Sequence, residues 1–388
     1  MQSMNSLPTA ATPDALHAAP KSEDFSAMRI PELDSFRAAA VLMVLLSHCV
    51  YGWPLPDAST AWIPRTALAL ISHGWLGVDL FFILSGYLIT GLLLDARSGE
   101  RYFKNFYARR VLRIVPLYAA CILVMFFAYR NHAAYFGLSL LFLANFSTYF
   151  RVGVPHGPGV FWSLSVEEHF YLLWPLFVRC LSRNVLLVVS LLIVIGSPLL
   201  RGISAYRGMD PESEIYLYSF FRFDGLALGA LLAIWVRSAY FSRATAIRLA
   251  LVLAGLVVVV TVGGLPYGIM GSKTVASVAF RYTQAQLLFA ACIALALAYR
   301  GMPQTKFLRT GFASLTSGFS YCIYLVHLSL GDLYYWILNK NAFNDVVHFG
   351  PVGALGVRCI VVIGSSYAIA AISKKFLEDP FLRLKRYF

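Results

Sequence analysis

Eleven apolar runs follow one another along the chain, at about 33–51, 75–95, 111–129, 136–150, 161–181, 185–200, 218–236, 247–263, 284–299, 315–338 and 351–373. A run of about 20 residues is what an α-helix needs to cross a bilayer. In lipid the backbone must bond within its own segment, which leaves helices as the economical solution. The composition agrees, with 59% hydrophobic and 13% charged residues and a mean hydropathy of +0.68; soluble domains carry roughly 25% charged residues. The expected fold class is all-α, a polytopic membrane helix bundle of about ten transmembrane helices.

The fourth run, Phe136 to Phe150, is short and holds Asn145, Ser147 and Thr148. Lys and Arg cluster in cytoplasmic loops of membrane proteins. Omitting this run from the spans puts most of the 32 Lys and Arg, with both termini, on the cytoplasmic side; counting it as a span exports the basic tail Lys374 to Arg386. It is therefore expected not to cross. Residues 1–28, rich in Ala, Ser and Pro, read as a disordered cytoplasmic tail, and 29–388 as one membrane domain. The net charge of +13 lies in short loops between apolar runs, which excludes a nucleic-acid-binding face. The six cysteines form no CxxC pair and read as small buried residues, with no metal site expected.

Ionisable groups at membrane depth are expensive and mark candidate sites. In the first run, Arg37 and His48 stand eleven residues apart, on one helix face and roughly 16 Å apart along the axis. Asp34 beside Arg37 is either half of an interfacial pair or part of a site. In the second run, Asp79 either caps the helix or pairs with the first helix, while Gly86 and Gly91 permit close packing. Arg110 and Arg113 share a helix face and suit phosphate oxygens, since a guanidinium fork binds two at once; anchoring to anionic lipid is the plainer use. The loop Val152 to Gly159 is suited to shaping an entrance. In the run after it, Ser165 and Glu168 have capping-box spacing, which leaves Glu167 without an assigned role. Arg222 and Asp224 read as an ion pair above a GxxxG packing face. Ser320, Tyr324, His327 and Gly331 make a polar stripe, its histidine either a packing group or part of a site.

In order, the stretches LDSFRAAAVLMVLLSH, GVDLFFILSGYLI, RRVLRIVPLY, FWSLSVEEHFYLLWP, FRFDGLALGALLA, SYCIYLVH and LEDPF resemble acyltransferase family 3, the integral-membrane enzymes that O-acylate O-antigens, exopolysaccharides, Nod factors and macrolides. The resemblance runs from about residue 30 to the end. It implies a bacterial inner-membrane enzyme with catalytic residues Arg37, His48 and Glu167. Arg110 and Arg113 fall on the family's motif for the acyl-CoA donor. Trp162 and Ser163 fall on its Trp-Ser-Leu motif and, with Asp79 and His327, are the expected substrate-binding residues. His169 stands where the family more often has glutamine, and Ser35 precedes Phe36 where Gly-Leu is common. Some members carry a fused SGNH-type domain; this chain resembles the stand-alone form.

The expected reaction moves an acyl group, acetyl first among the options, from acyl-CoA to a hydroxyl of a carbohydrate or glycolipid. His48 would act as general base or as an acyl-histidine intermediate, and Glu167 would hold His48 or the acceptor. Two alternatives are a glycan or lipid transporter without covalent chemistry and O-acylation of a small secondary metabolite.

Overall fold

The computed structural model describes residues 30–51, 65–271, 273–340 and 350–388; the expected disordered tail at 1–28 lies outside them. Among the described residues twelve α-helices of eight residues or more carry the fold: α1 (Pro31–Val50), α2 (Arg65–Ser72), α3 (Gly77–Asp95), α4 (Tyr102–Ala128), α5 (Ala133–Leu140), α6 (Phe161–Cys180), α7 (Arg183–Tyr206), α8 (Phe223–Val236), α9 (Arg243–Gly264), α10 (Val275–Ala298), α11 (Gly311–Lys340) and α12 (Gly350–Ser373). No strand occurs among the described residues. Among the described residues seven helical stretches are long and apolar enough to cross a membrane, and the shorter apolar α8 joins them. The polytopic all-α reading holds. Ten of the eleven apolar runs coincide with one helix each, α6 and α11 being the more polar.

The short fourth run is indeed not a through-helix. α5 ends at Leu140, and the chain then turns through Phe142, at φ 55°, into a 3-10 turn at Ala144–Phe146. Its polar side chains reach another segment: Asn145 donates to Ser219 Oγ (2.9 Å) and Thr148 to the Ser213 carbonyl (3.0 Å). Irregular backbone of this kind is tolerated because it packs on protein. Helix α2, only eight residues long and joined to α3 by a 3-10 turn, was not visible as an apolar run.

Two apolar cores meet at α3. One is built from α1, α3, α4, α6, α11 and α12 around residues such as Val44, Phe82, Tyr118, Phe161 and Leu325. The other gathers α3, α8, α9 and α10 around Ile83, Leu232 and Ala290. The α3–α8 seam is the closest approach. A Cβ on Gly86 would stand 1.9 Å from the Leu226 carbonyl, and one on Gly229 would stand 2.1 Å from that of Ile83. Two glycines, one from each helix, thus let the backbones touch. Gly91 serves a different end from the helix packing expected of it: its missing side chain makes room for the Arg237 guanidinium. On the rim, α7 and α9 bury few residues and leave Leu192, Ile195, Val258 and Val259 exposed, as lipid-facing helices should.

Candidate functional site

The ends of α1 and α4 nearest their N-termini supply three arginines to one cavity. Arg37 comes from the second turn of α1, Arg110 and Arg113 from one face of α4, and the cavity of about 310 Å³ is closed by α3, α6 and α11. Arg113 and Arg110 lie within electrostatic reach of Arg37. None of the three forms an ion pair among the described residues; Arg110 lies over the Tyr171 ring at 5.4 Å. Asp34 accepts from Ser317 Oγ (2.8 Å) and stays within electrostatic reach of Arg37 without forming an ion pair with it, and the Arg37 guanidinium lines the cavity wall.

Glu167 is the one carboxylate lining this cavity. It accepts from Ser85 Oγ (2.9 Å) and Tyr171 OH (3.0 Å), and it faces Arg110 and Arg37. The expectation that it would hold His48 is corrected here: both its oxygens are engaged on the arginine side. The capping-box reading of its neighbour also fails. The 3-10 turn Gly157–Val160 starts the helix earlier, at Phe161. Ser165 therefore sits in the second turn, donating to the Phe161 carbonyl, and Glu168 has a buried oxygen without a hydrogen-bond partner among the described residues.

Ser163 and Tyr324 line the cavity and hydrogen-bond each other at 2.5 Å. Beyond Tyr324 lies His327, ring centroid to centroid 5.8 Å away, and beyond it His48. His48 and His327 border a second, much smaller cavity with Leu45, Gly331 and Arg358. The hydrogen bonds assign both tautomers. His327 Nδ1 sits 2.8 Å from the Tyr324 carbonyl, so it carries the proton and its Nε2 presents a lone pair. That lone pair faces His48 Nδ1 at 3.2 Å, and the Val44 carbonyl faces the same atom at 2.9 Å. His48 Nδ1 therefore donates, and its Nε2 is left with the free lone pair.

The sequence-derived residues thus separate into three places. Arg37, Arg110, Arg113, Glu167 and Ser163 share one cavity; His48 and His327 share another. Asp79 and Trp162 belong to neither. Asp79 is fully buried and bonded to Arg222 (2.9 Å) and Gln286 (2.8 Å), so the expectation that it binds substrate is corrected: a cavity substrate cannot reach it, and its partners are the residue that caps α8 and a residue of α10, not α1. Trp162 packs edge-on to Phe82 (6.2 Å) and against Tyr216 (4.6 Å), behind the cavity wall. Arg222 does not pair with Asp224 as its spacing suggested; Asp224 takes Arg201 (2.8 Å). Sequence reasoning missed Ser85, Tyr171 and Arg358. Arg358 was findable as a lone cation inside the last apolar run, and it reaches the His48 carbonyl at 3.4 Å. Among the described residues no group of acidic, histidine and cysteine side chains has the arrangement of a metal site.

Known proteins resemble this chain over its matched half. The peptidoglycan O-acetyltransferase OatA of Listeria monocytogenes is 29% identical over 233 residues, covering 54% of this chain and 35% of that protein. The putative peptidoglycan O-acetyltransferase YrhL of Bacillus subtilis is 31% identical over 230 residues, 53% of this chain and 33% of that protein. The O-acetyltransferase OatA of Staphylococcus aureus is 28% identical over 233 residues, with 54% and 36% covered. The match thus spans about a third of the length of these relatives. No solved structure matches the chain. A family model described as an acyltransferase domain matches residues 30–371, from the first helix almost to the end of the last, and the chain therefore belongs to acyltransferase family 3.

Proposed function

We propose that this protein is an O-acetyltransferase of the bacterial inner membrane, with both termini in the cytoplasm, that moves an acetyl group from acetyl-CoA to a hydroxyl of a carbohydrate acceptor. The relatives named for peptidoglycan O-acetylation support an acceptor of that class. The observation that carries the donor is the cavity with three half-buried arginines and one carboxylate. Cations in a recess that form no ion pair among the described residues favour an anionic ligand with several oxygens. The volume of about 310 Å³ lies at the low end of ligand pockets, which run roughly 300–1,000 Å³. It suits an acyl-pantetheine arm, with the phosphates held at the arginine mouth.

His48 and the arginines border different cavities, and this supports a two-step transfer. The His48 Nε2 lone pair attacks the thioester carbonyl; the C–N bond forms, the C–S bond breaks, and the coenzyme leaves as thiolate. The acceptor oxygen then attacks the acyl-histidine, the C–O bond forms, and the C–N bond breaks. Tyr324 separates the two cavities, so its side chain must move aside from Ser163 for the first step. Glu167 holds Ser85 and Tyr171 in place and balances part of the arginine charge. His327 fixes the tautomer of His48, and an imidazole so oriented is a suitable nucleophile at neutral pH.

The test needs no acceptor. In detergent, acetyl-CoA at about 100 times its dissociation constant should stabilise the protein by roughly 2.7 kcal/mol. The Arg110→Ala/Arg113→Ala double variant should lose that shift. A folded wild type that shows no shift at millimolar acetyl-CoA would overturn the donor. His48→Ala should keep the shift and lose transfer.

A further inference from the structure

The loop that precedes α6 carries one more histidine, and the fold is built to hold it. His156 Nδ1 lies 2.5 Å from Asp332 Oδ1 on α11, and Tyr129 OH donates to the other carboxylate oxygen at 2.8 Å. The loop is pressed onto α11 so closely that a Cβ on Gly157 would stand 2.4 Å from Ser329 Oγ, 2.6 Å from Tyr129 OH and 2.8 Å from Asp332 Oδ2. Tyr135 OH pins the next residue through the Pro158 carbonyl (2.9 Å). Gly157 and Pro158 are buried, whereas the His156 side chain is 59% exposed. With Nδ1 donating to Asp332, Nε2 carries a lone pair, and it has no hydrogen-bond partner among the described residues. A carboxylate that fixes the tautomer of an imidazole and stabilises its protonated form is the orienting half of a general-base dyad.

Its surroundings tie it to the acyl site. His156 and Arg358 both lie within electrostatic reach of His48, and Arg358 in turn lies within reach of His156. The charged and titratable groups around the dyad are Asp332 on α11, Tyr129 at the end of α4, Arg358 on α12, His48 on α1 and, beyond Gly153, His132. The hydrogen bond to Asp332 raises the His156 pKa above the ordinary histidine value, against the opposing effects of burial and of Arg358.

We propose that His156, held by Asp332, is the base that takes the proton from the acceptor hydroxyl in the second step of transfer. This rests on the acyl-histidine reading above. As the acceptor oxygen attacks the acyl carbon on His48 and the C–N bond breaks, the hydroxyl proton passes to His156 Nε2. The resulting imidazolium is stabilised by Asp332, and its proton leaves to bulk water. Water serves as a weak acceptor in place of the carbohydrate, so the step can be followed with acetyl-CoA alone.

The experiment is thiol release from acetyl-CoA by the full-length protein in detergent. Wild type should give a burst of about one thiol per protein followed by slow turnover. His156→Gln keeps a side-chain donor for Asp332 but has no basic lone pair. It should keep the burst and the melting temperature and lose turnover by roughly 100-fold, the lower part of the usual range for a general base. His48→Ala should give no burst. The turnover rate of wild type should fall as pH drops through the His156 pKa, and Asp332→Asn should move that limb to lower pH. Unchanged turnover in His156→Gln, or loss of burst and turnover together, would overturn the proposal and leave the pair as a clamp on the loop. A wild type with no burst would overturn the acyl-histidine as well, while an acetyl-CoA thermal shift in the same sample would leave the donor standing.

Discussion

Two clusters of buried charge lie on either side of α3, and they are built on opposite principles. On the α8 and α10 side, Arg222 meets Asp79 at 2.9 Å, Arg201 meets Asp224 at 2.8 Å, and Gln286 bridges the two aspartates at 2.8 and 3.2 Å. Both ion pairs have side chains with no exposure, and the charges balance two to two. Tyr282, Tyr216, Phe82 and Trp162 enclose the Arg222 guanidinium, the nearest ring centroid 4.0 Å away. On the α1, α4 and α6 side, three arginines share a cavity with one carboxylate. The first cluster is charge-balanced and sealed from solvent, with Asp79 Oδ2 and Arg222 Nε and Nη1 left without a hydrogen-bond partner among the described residues. In the second, Asp34, Glu167, Glu168 and Glu378 lie within electrostatic reach of one or another of the arginines, but none forms an ion pair with them among the described residues, and the open cavity beside the arginines is where we place the anion.

The comparison is broken most severely by Arg222→Ala. It would leave Asp79 charged and fully buried without its cation, a loss of about 3–5 kcal/mol, seen as a collapse in the yield of folded protein or a large drop in melting temperature. Gly86→Ala comes next. A methyl group there has to push the Leu226 carbonyl away, and overpacking of this kind costs about 1–3 kcal/mol; a stability unchanged in denaturant titration would mean the α3–α8 seam is looser than described. Arg113→Ala should behave in the opposite sense. Relief from Arg37 and Arg110 should leave the fold as stable as before, while donor affinity, read by titration with acetyl-CoA, falls about tenfold or more for the loss of one charge-assisted hydrogen bond of about 1.5–3 kcal/mol. Arg113→Ala that destabilised the fold as Arg222→Ala does would erase the distinction.

How much of this was legible depended on the range of the interaction. The helices could be read because each apolar run is a local property, and the break at Phe136 to Phe150 could be read from Asn145, Ser147 and Thr148, which have to find partners such as Ser219. The i, i+3 relation of Arg110 and Arg113 is also local, and it does put both on one cavity wall. Gly86 and Gly229 could be recognised as packing residues, although not as partners in one seam. Pairings across the bundle were out of reach. Asp79 and Arg222 are 143 residues apart, and the neighbour that spacing offered to Arg222, Asp224, belongs instead to Arg201. Whether Glu167 meets His48, the acceptor or neither depends on Ser85, 82 residues away, and on how α6 packs against the arginines, which no local pattern shows.

The mildest test uses a third ion pair, which sits between the two extremes. Arg237 grips Asp95 with two bonds, Nε to Oδ1 at 2.8 Å and the terminal nitrogen to Oδ2 at 2.7 Å. It ties the C-terminal ends of α3 and α8 together at the foot of the same seam. Its side chains are 12% and 25% exposed, so water and salt reach it, and pairs in such positions contribute about 0.2–1 kcal/mol. Asp95→Asn should therefore lower the melting temperature slightly at low salt, and the difference from wild type should shrink as ionic strength rises, since the screening length falls from about 10 Å at 0.1 M to 3 Å at 1 M. The Arg222–Asp79 pair, closed off from solvent, should show no such salt dependence. Equal salt sensitivity in the two would mean that ions reach the interior cluster, and the contrast between a sealed network and an open, ligand-ready one would fail at its root.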